Sequence, residues 1–94
     1  MKATGPMFAL GHLVATPGAL AALADAKQVA GEFLRRHIVG DWGEVGADDQ
    51  RANGNDLAHG GRLLSAYTLS TGVKVWIITE ADRSSTCILL PEEY

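Results

Sequence analysis

The first β-like stretch of the chain covers residues 8–14, where apolar side chains recur at every second position. The residues that share this face are Phe8, Leu10, His12 and Val14. On this pattern His12 is expected to be a partly buried core histidine. Gly11 weakens the middle of the strand or marks a bulge or a close backbone approach. Residues 1–6, before the strand, are expected to form a loose leader.

Helical patterns follow as far as residue 39. Thr16 is a good N-cap, and Pro17 suits the first helical position because its missing N–H would have no partner there. A second stretch, residues 27–39, carries one apolar stripe made of Val29, Phe33, Leu34 and His37. Gly40 is a natural stop for this helix. Whether residues 17–39 form one kinked helix or two stays open, because no proline or glycine separates the two parts.

The last third of the chain predicts an antiparallel meander of three strands. Its β-rich runs cover residues 62–69, 73–80 and 86–90. Three residues that end in Gly72 separate the first two runs, which is typical of a hairpin with a G1 bulge. Gly72 is therefore expected to have a positive φ.

A third, poorer helix is predicted between these two parts, opening at Asp48 and Asp49 and ending before Gly60. The element order is then β-α-α-α-β-β-β, with the first strand pairing into the same sheet. This order favours an α+β two-layer sandwich, in which two to three helices cover one face of an antiparallel sheet of three to four strands.

Composition agrees with one globular domain over residues 1–94. The chain is 47% hydrophobic and 20% charged, which argues against disorder. The net charge of −3 is mild and no window is strongly basic, so no phosphate-tracking surface is indicated. Cys87 is the single cysteine and lies in an apolar run, where a small core residue is expected. No apolar run approaches the ~20 residues of a membrane span, and a cytoplasmic location is expected.

Three stretches of this sequence, LGHLVATPGALAAL, FLRRHIVGDWG and WIITEADRSSTCILLPEEY, resemble a family of small bacterial proteins found on plasmids and other mobile elements. Some members are named plasmid-related protein or type I restriction endonuclease subunit M. The resemblance runs from about Leu10 to Tyr94 and implies a mobile-element setting, with no established activity. This chain departs from the family pattern over residues 26–31, where a proline is expected ahead of the second helix.

The subunit name does not fit the residues. A methylation subunit requires a cofactor-binding α/β domain with a Gly-rich loop after its first strand. This chain is too short for that domain, and its glycines are not so placed. No cofactor is expected.

The first candidate site is the polar segment TEADRSST, which contains Glu80, Asp82 and Arg83. An arginine can bind a carboxylate or phosphate in a bidentate manner, and a carboxylate can act as a general base. The alternative is an ordinary hairpin loop, in which Asp82 bonds its own backbone.

The second candidate is RRHIVGDWG, in which Asp41 could orient His37 for proton transfer. The alternative is that His37 bonds the last carbonyls of its helix and Trp42 is mostly buried, closing one end of the core. Because both candidates place an acid at a turn, we hypothesise that Asp41 or Asp82 holds Arg83 and that this cluster is the functional surface.

Two further groups of residues have side chains that could bind a ligand. The three histidines and Asp41 match no metal-ligand spacing, so no metal site is expected. Trp76 and Tyr67 lie on neighbouring predicted strands and would form an aromatic platform if both faced outwards. Tyr67 shares its parity with leucines, whereas Trp76 shares its parity with Ile78 and two charged residues, which leaves Trp76 ambiguous.

The function expected from these patterns is that of a small accessory binding module that contacts protein or nucleic acid, with binding residues Trp76, Asp82 and Arg83. The alternative is a small hydrolase or nuclease. Its candidate catalytic residues are His37, Asp41, Glu80, Asp82 and Arg83. The protein is expected to be a monomer or a homodimer, and a homo-oligomer joined through an open sheet edge is a third possibility.

Overall fold

A computed structural model describes residues 5–94, so the leader expected over residues 1–6 falls mainly outside the described residues. The α+β class and the order β-α-α-α-β-β-β are confirmed. The elements are β1 (His12–Ala15), α1 (Pro17–Ala26), α2 (Ala30–Ile38), α3 (Ala47–His59), β2 (Leu63–Thr68), β3 (Lys74–Thr79) and β4 (Ser85–Leu89), followed by a 3₁₀ turn (Pro91–Glu93).

The four strands form one sheet in the order β1-β4-β3-β2. The predicted meander is confirmed, because β2–β3 and β3–β4 pair antiparallel. The expectation of a wholly antiparallel sheet is wrong, because β1 runs parallel to β4. The parallel direction brings the end of β1 beside the end of β4, where Thr16 bonds Ile88 and the Glu93 carboxylate. No pattern within β1 itself encodes this direction.

Strand β1 is shorter than predicted and starts later. Gly11 has φ +66°, and a Cβ there would lie 2.3 Å from the Ser84 carbonyl oxygen, so the backbone turns at this residue and approaches its neighbour closely. Residues 8–10 therefore lie outside the strand. His12 is exposed rather than partly buried, because β1 is an edge strand.

The segment 17–39 forms two helices. Thr16 caps α1 as expected, since its hydroxyl accepts the Ala19 N–H at 3.1 Å. α1 ends because Lys27 adopts a left-handed conformation with φ 57°, a position usually occupied by glycine. Because lysine at this position is not typical of a helix end, the sequence does not indicate that α1 stops there. α2 then starts at Ala30, and Val29 lies outside its buried stripe, 67% exposed.

Alternate residues of the strands divide the sheet into two faces. The inner face, which packs against α1 and α2, consists of Leu63, Ser65, Tyr67, Val75, Ile77, Thr79, Thr86 and Ile88. The outer face consists of Leu64, Ala66, Trp76, Ile78, Cys87 and Leu89. The helices contribute Ala19, Leu23 and Phe33 to the core against the inner face.

Three local expectations have different outcomes. Gly72 has φ +92° at the β2–β3 turn, which confirms the hairpin. Trp42 is mostly buried, as expected, with its ring stacked 6.2 Å from the Phe8 ring. Cys87 is half-buried on the outer face and is not a core residue, because its neighbours in sequence, Thr86 and Ile88, occupy the inner face.

Candidate functional site

An open groove lies on the outer face of the sheet, with a volume of about 250 Å³. Its lining is mainly apolar and consists of Arg62, Leu63, Leu64, Trp76, Ile78 and Tyr94. β2 and β3 supply Leu64, Trp76 and Ile78, and strand alternation points these three to one side. The groove is therefore built on a rigid hairpin rather than on a loop.

Trp76 faces outwards and Tyr67 faces inwards, so the aromatic platform considered from the sequence is wrong for this pair. Tyr67 is 1% exposed and donates a hydrogen bond to the Asp41 carbonyl at 2.6 Å. The partner of Trp76 is instead Tyr94, whose ring meets it edge-on at 5.7 Å. Tyr94 is 68% exposed and forms one wall of the groove.

The polar side of the groove is formed by Arg62. Its Nη1 donates to the Tyr94 hydroxyl at 2.8 Å, and its Nε lies 3.9 Å from the Glu80 carboxylate. The bond to Tyr94 raises the pKa of Arg62 further above its ordinary value. The groove thus combines an apolar floor with one fixed cation that is half exposed.

On the inner face, His37 of α2 is completely buried between two hydroxyl groups. Its Nδ1 lies 2.5 Å from Ser65 Oγ, and its Nε2 lies 2.9 Å from Thr79 Oγ1. Burial lowers the pKa of His37 from 6.5 to about 4, so the imidazole is neutral near pH 7. The predicted bonding of His37 to its last helical turn is replaced by bonding to the sheet.

The hydrogen positions along this row follow from counting donors. Thr86 Oγ1 donates to the Leu10 carbonyl at 2.8 Å, since a carbonyl can only accept. Thr79 must then donate to Thr86 across their 2.8 Å contact, and it therefore accepts from His37 Nε2–H. Nδ1 of His37 carries no proton and accepts from Ser65. We call this row, from Ser65 through His37, Thr79 and Thr86 to Leu10, the inner polar row.

The inner polar row contains a serine–histidine pair, but neither side chain reaches solvent. Ser65 and His37 are both 0% exposed. A nucleophile and its base must contact a substrate to act on it. The pair therefore acts inside the core, where it joins α2 to the sheet.

Asp41 is engaged at the surface rather than with His37. Its carboxylate accepts from Arg36 Nε at 2.7 Å and from the Gly43 N–H at 3.3 Å. The bond to Arg36 lowers the pKa of Asp41 and raises that of Arg36. Since the Asp41 carboxylate is half exposed, this pair contributes little to stability.

The β3–β4 turn uses its polar side chains to hold its own backbone. Asp82 accepts from the Ser84 N–H at 3.0 Å, which matches the expected Asx turn. The Ser84 side chain and this N–H together lower the pKa of Asp82. Arg83 has φ 62° and donates only to carbonyl oxygens within residues 5–94. The acceptors are those of Asp56 at 3.1 Å, Gly61 at 2.5 Å, Glu80 at 3.0 Å and Ala81 at 3.2 Å.

The hypothesis that Asp41 or Asp82 holds Arg83 is therefore wrong. The guanidinium instead bonds the Asp56 carbonyl in the last turn of α3, which also accepts the Gly60 N–H, and the Gly61 carbonyl just before β2. The Phe8 ring packs against both His37, at 5.2 Å, and the Arg83 guanidinium, at 5.7 Å. The Phe8 ring therefore covers His37 and Arg83, and these two candidate residues do not face an open cleft.

Comparison with known proteins adds no assignment to this geometry. No protein-family model, no curated protein and no solved structure matches the chain. Across the described residues, no three His, Cys, Asp or Glu side chains are grouped in a way that could hold a metal ion. Within residues 5–94, no helix combines the length and apolar character needed to cross a membrane.

Sequence reasoning identified only Trp76 among the groove residues and missed Arg62, Leu64, Ile78 and Tyr94. A signal for Ile78 was present, since it shares the parity of Trp76 on β3. Leu64 could have been placed by extending the hairpin register from the Gly72 turn. Tyr94 could not, because only the 3₁₀ turn at Pro91–Glu93 brings it back over the sheet.

Proposed function

We propose that this chain is a small, non-enzymatic accessory module that binds another protein through the outer-face groove. The observation that carries the proposal is the apolar groove on the outer face of the sheet, which is lined by the half-buried Trp76 and the exposed Tyr94. Exposed apolar concavities on small domains mark interaction sites. The resemblance in sequence to plasmid-borne proteins suggests a bacterial mobile-element setting.

The occupant that fits the groove is an apolar side chain of a partner protein. A volume of about 250 Å³ accepts one or two such side chains. Arg62 at the side of the groove can then bond a carboxylate or carbonyl oxygen of the same segment. Aromatic and arginine side chains are also the residues that most often dominate binding energy at protein interfaces.

Charge supports a protein rather than a nucleic acid as the partner. The chain carries a net charge of −3, and the single arginine of the groove already lies near the Glu80 carboxylate. Binding to a phosphate backbone depends on several cations that act together.

The alternative as a hydrolase or nuclease finds less support. His37 is buried, Asp41 bonds Arg36, Asp82 bonds its own turn, and Arg83 bonds backbone carbonyls. Glu80 lies near Arg62 at the groove. A catalytic site would bring these groups together in one accessible cleft.

The test is selection from a displayed peptide library on the immobilised protein, followed by calorimetry with the selected peptides. Tyr94→Ala and Trp76→Ala alter the groove, whereas Val73→Ala removes a 41% exposed apolar side chain at the β2–β3 turn and serves as the control. A labelled single-stranded oligonucleotide forms a separate arm. Circular dichroism checks that each variant is folded.

We expect selected peptides to carry an apolar anchor and to bind the wild type and Val73→Ala equally. Tyr94→Ala should weaken them about tenfold, a loss typical of a buried aromatic contact. Peptide binding that is indifferent to both groove variants contradicts the proposal. If the oligonucleotide binds and Trp76→Ala abolishes this binding, the partner of the groove is a nucleic acid and not a protein.

A further inference from the structure

The sheet has two edge strands, and among the described residues only the edge at β2 has partners for its outward backbone groups. The backbone N–H and carbonyl of Leu64 bond the Asn53 side chain at 3.1 and 2.7 Å. The Ala66 N–H donates to the Trp42 carbonyl at 3.0 Å, and its carbonyl accepts from the Glu44 N–H at 2.7 Å. Asn53 of α3 and the backbone of residues 42–44 therefore close the β2 edge of the sheet.

Within residues 5–94, the edge at β1 has no neighbouring strand on its outer side. β1 bonds β4 through alternate residues, as the His12 N–H to Ser84 and the Thr16 N–H to Ile88 show at 2.9 and 3.0 Å. In a parallel ladder the intervening residues, Leu13 and Ala15, direct their N–H and carbonyl groups to the other side. No backbone partner for these four groups is found within residues 5–94.

The exposed edge carries an apolar side chain on each face and no Asp, Glu, Lys or Arg. Leu13 is 55% exposed on the inner side, and Val14 is 51% exposed on the outer side. The strand sequence HLVA contains no lysine, glutamate or proline, which are the residues that usually protect an edge from pairing. The edge is therefore competent to accept another strand.

We propose that this edge binds β1 of a second copy of the chain, which joins the two sheets into one of eight strands. The strands pair antiparallel about a two-fold axis at Val14. In that register Leu13 lies opposite Ala15 of the partner subunit. On the other side of the axis, Ala15 lies opposite Leu13 of the partner subunit. Each pair exchanges two hydrogen bonds, so all four outward groups of each protomer are used.

The same register explains why the occupant is a second copy. Val14 lies on the axis as a non-hydrogen-bonded pair with itself, the arrangement in which opposite side chains approach most closely. Leu13 packs beside the small Ala15 of the partner subunit, and β1 brings no Asp, Glu, Lys or Arg side chain to the axis.

Four-residue strands bury little area, so the association should be weak and dependent on concentration. This inference does not depend on the proposed function, because the groove and the β1 edge lie on opposite sides of β4. Sedimentation velocity over a wide range of concentrations measures it directly. The wild type should shift from monomer to dimer, whereas Val14→Lys should weaken self-association about tenfold or more, since like charges then face each other.

Val73→Lys is the matched control, because it adds the same charge at an exposed apolar residue far from the edge in sequence. It should dimerise as the wild type does. A wild type that stays monomeric at every concentration overturns the proposal, as does equal weakening by both lysine variants.

Disulfide trapping tests the register. In a Cys87→Ala background, which removes the thiol that pairs beside Val14, the variants Val14→Cys and Leu13→Cys have similar exposure. Val14→Cys should cross-link readily under mild oxidation, because its Cβ faces its own copy at about 4.5–5.5 Å. The Leu13→Cys thiols lie on a diagonal at about 7–8 Å and should cross-link slowly. Equal rates for the two variants contradict the two-fold axis at Val14.

Discussion

The inner face of the sheet buries Ser65, Thr79 and Thr86 and covers them with His37, whereas the outer face leaves Trp76 half-buried beside an exposed Tyr94. Polar side chains are thus buried on the inner face, whereas some aromatic surface is exposed on the outer face. Polar groups tolerate burial only when each has a partner, and among the described residues every buried side-chain nitrogen and oxygen has one. The inner face therefore holds the fold, and the outer face retains unused apolar surface for contact.

The largest effect that this comparison predicts comes from His37→Ala. It leaves a cavity in the core and removes the acceptor of Ser65, which together should cost about 3–5 kcal/mol of unfolding free energy. That is a large share of the stability of a small domain. Urea unfolding followed by circular dichroism measures the loss, and a loss below about 1 kcal/mol would contradict the central position of His37 in the inner polar row.

Acid should destabilise the protein through the same residue. Burial lowers the pKa of His37 from 6.5 to about 4, so between these values the unfolded chain binds a proton that the folded chain does not. The stabilisation is therefore complete above pH 6.5 and is lost as the pH falls towards 4. The expected loss is about 3 kcal/mol, at 1.36 kcal/mol per pKa unit.

The control for this pH dependence is a pair of variants. His37→Gln should lose the slope between pH 6.5 and 4, whereas His59→Gln, at an exposed position, should keep it. Carboxylates such as Asp41 contribute equally in both variants and cancel. An unchanged slope in His37→Gln would assign the acid sensitivity to another group.

A smaller effect is expected from Thr79→Val, which keeps the side-chain volume and removes one hydroxyl of the inner polar row. It strands the His37 Nε2–H and should cost about 1–3 kcal/mol. Thr68→Val on the same sheet, at an exposed outer position, should cost less than about 0.5 kcal/mol. Thermal unfolding of the two variants compares the stability lost on each face. Equal losses of stability would contradict the conclusion that the inner face holds the fold.

The smallest effect is expected on the outer face, from Tyr94→Ala. This change removes an edge-on aromatic pair with Trp76 and a bond from Arg62, and it should cost about 0.5–1.5 kcal/mol. The same variant should weaken peptide binding in the groove. A loss as large as that of His37→Ala would mean that the outer face supports the fold rather than contact.

The sequence predicted the elements better than their arrangement. Local signals placed the Thr16 cap, the Gly72 turn and the three-strand meander, because each depends on residues close in the chain. The parallel direction of β1 and the end of α1 at Lys27 were missed. The direction of β1 is set by its contacts with β4, which lies near the other end of the chain. The end of α1 falls at a lysine, a residue that is not typical of helix ends.

The candidate site was predicted less well, because the sequence does not show which hydrogen-bond partners the charged and polar side chains have in the fold. Arg83 and Asp82 look functional in a polar segment, yet both bond the backbone around them. His37 looks like a helix-end residue, yet it bonds two strand hydroxyls that are distant in sequence, those of Ser65 and Thr79. The orientation of Trp76 stayed ambiguous from strand parity alone, and the structure places its side chain on the outer face.

The central position of β4 also governs when this protein can fold during its synthesis. β4 lies between β1 and β3 in the sheet but is the last of the four strands to be made, and its Thr86 bonds Leu10, 76 positions earlier. While the ribosome is still translating the β3–β4 turn, β1 has no neighbour and the two core helices can cover only a hairpin. Contacts of such long sequence separation form slowly. The nascent chain should therefore stay sensitive to proteases and attractive to chaperones until Ser85–Leu89 has emerged, and then fold in one late step.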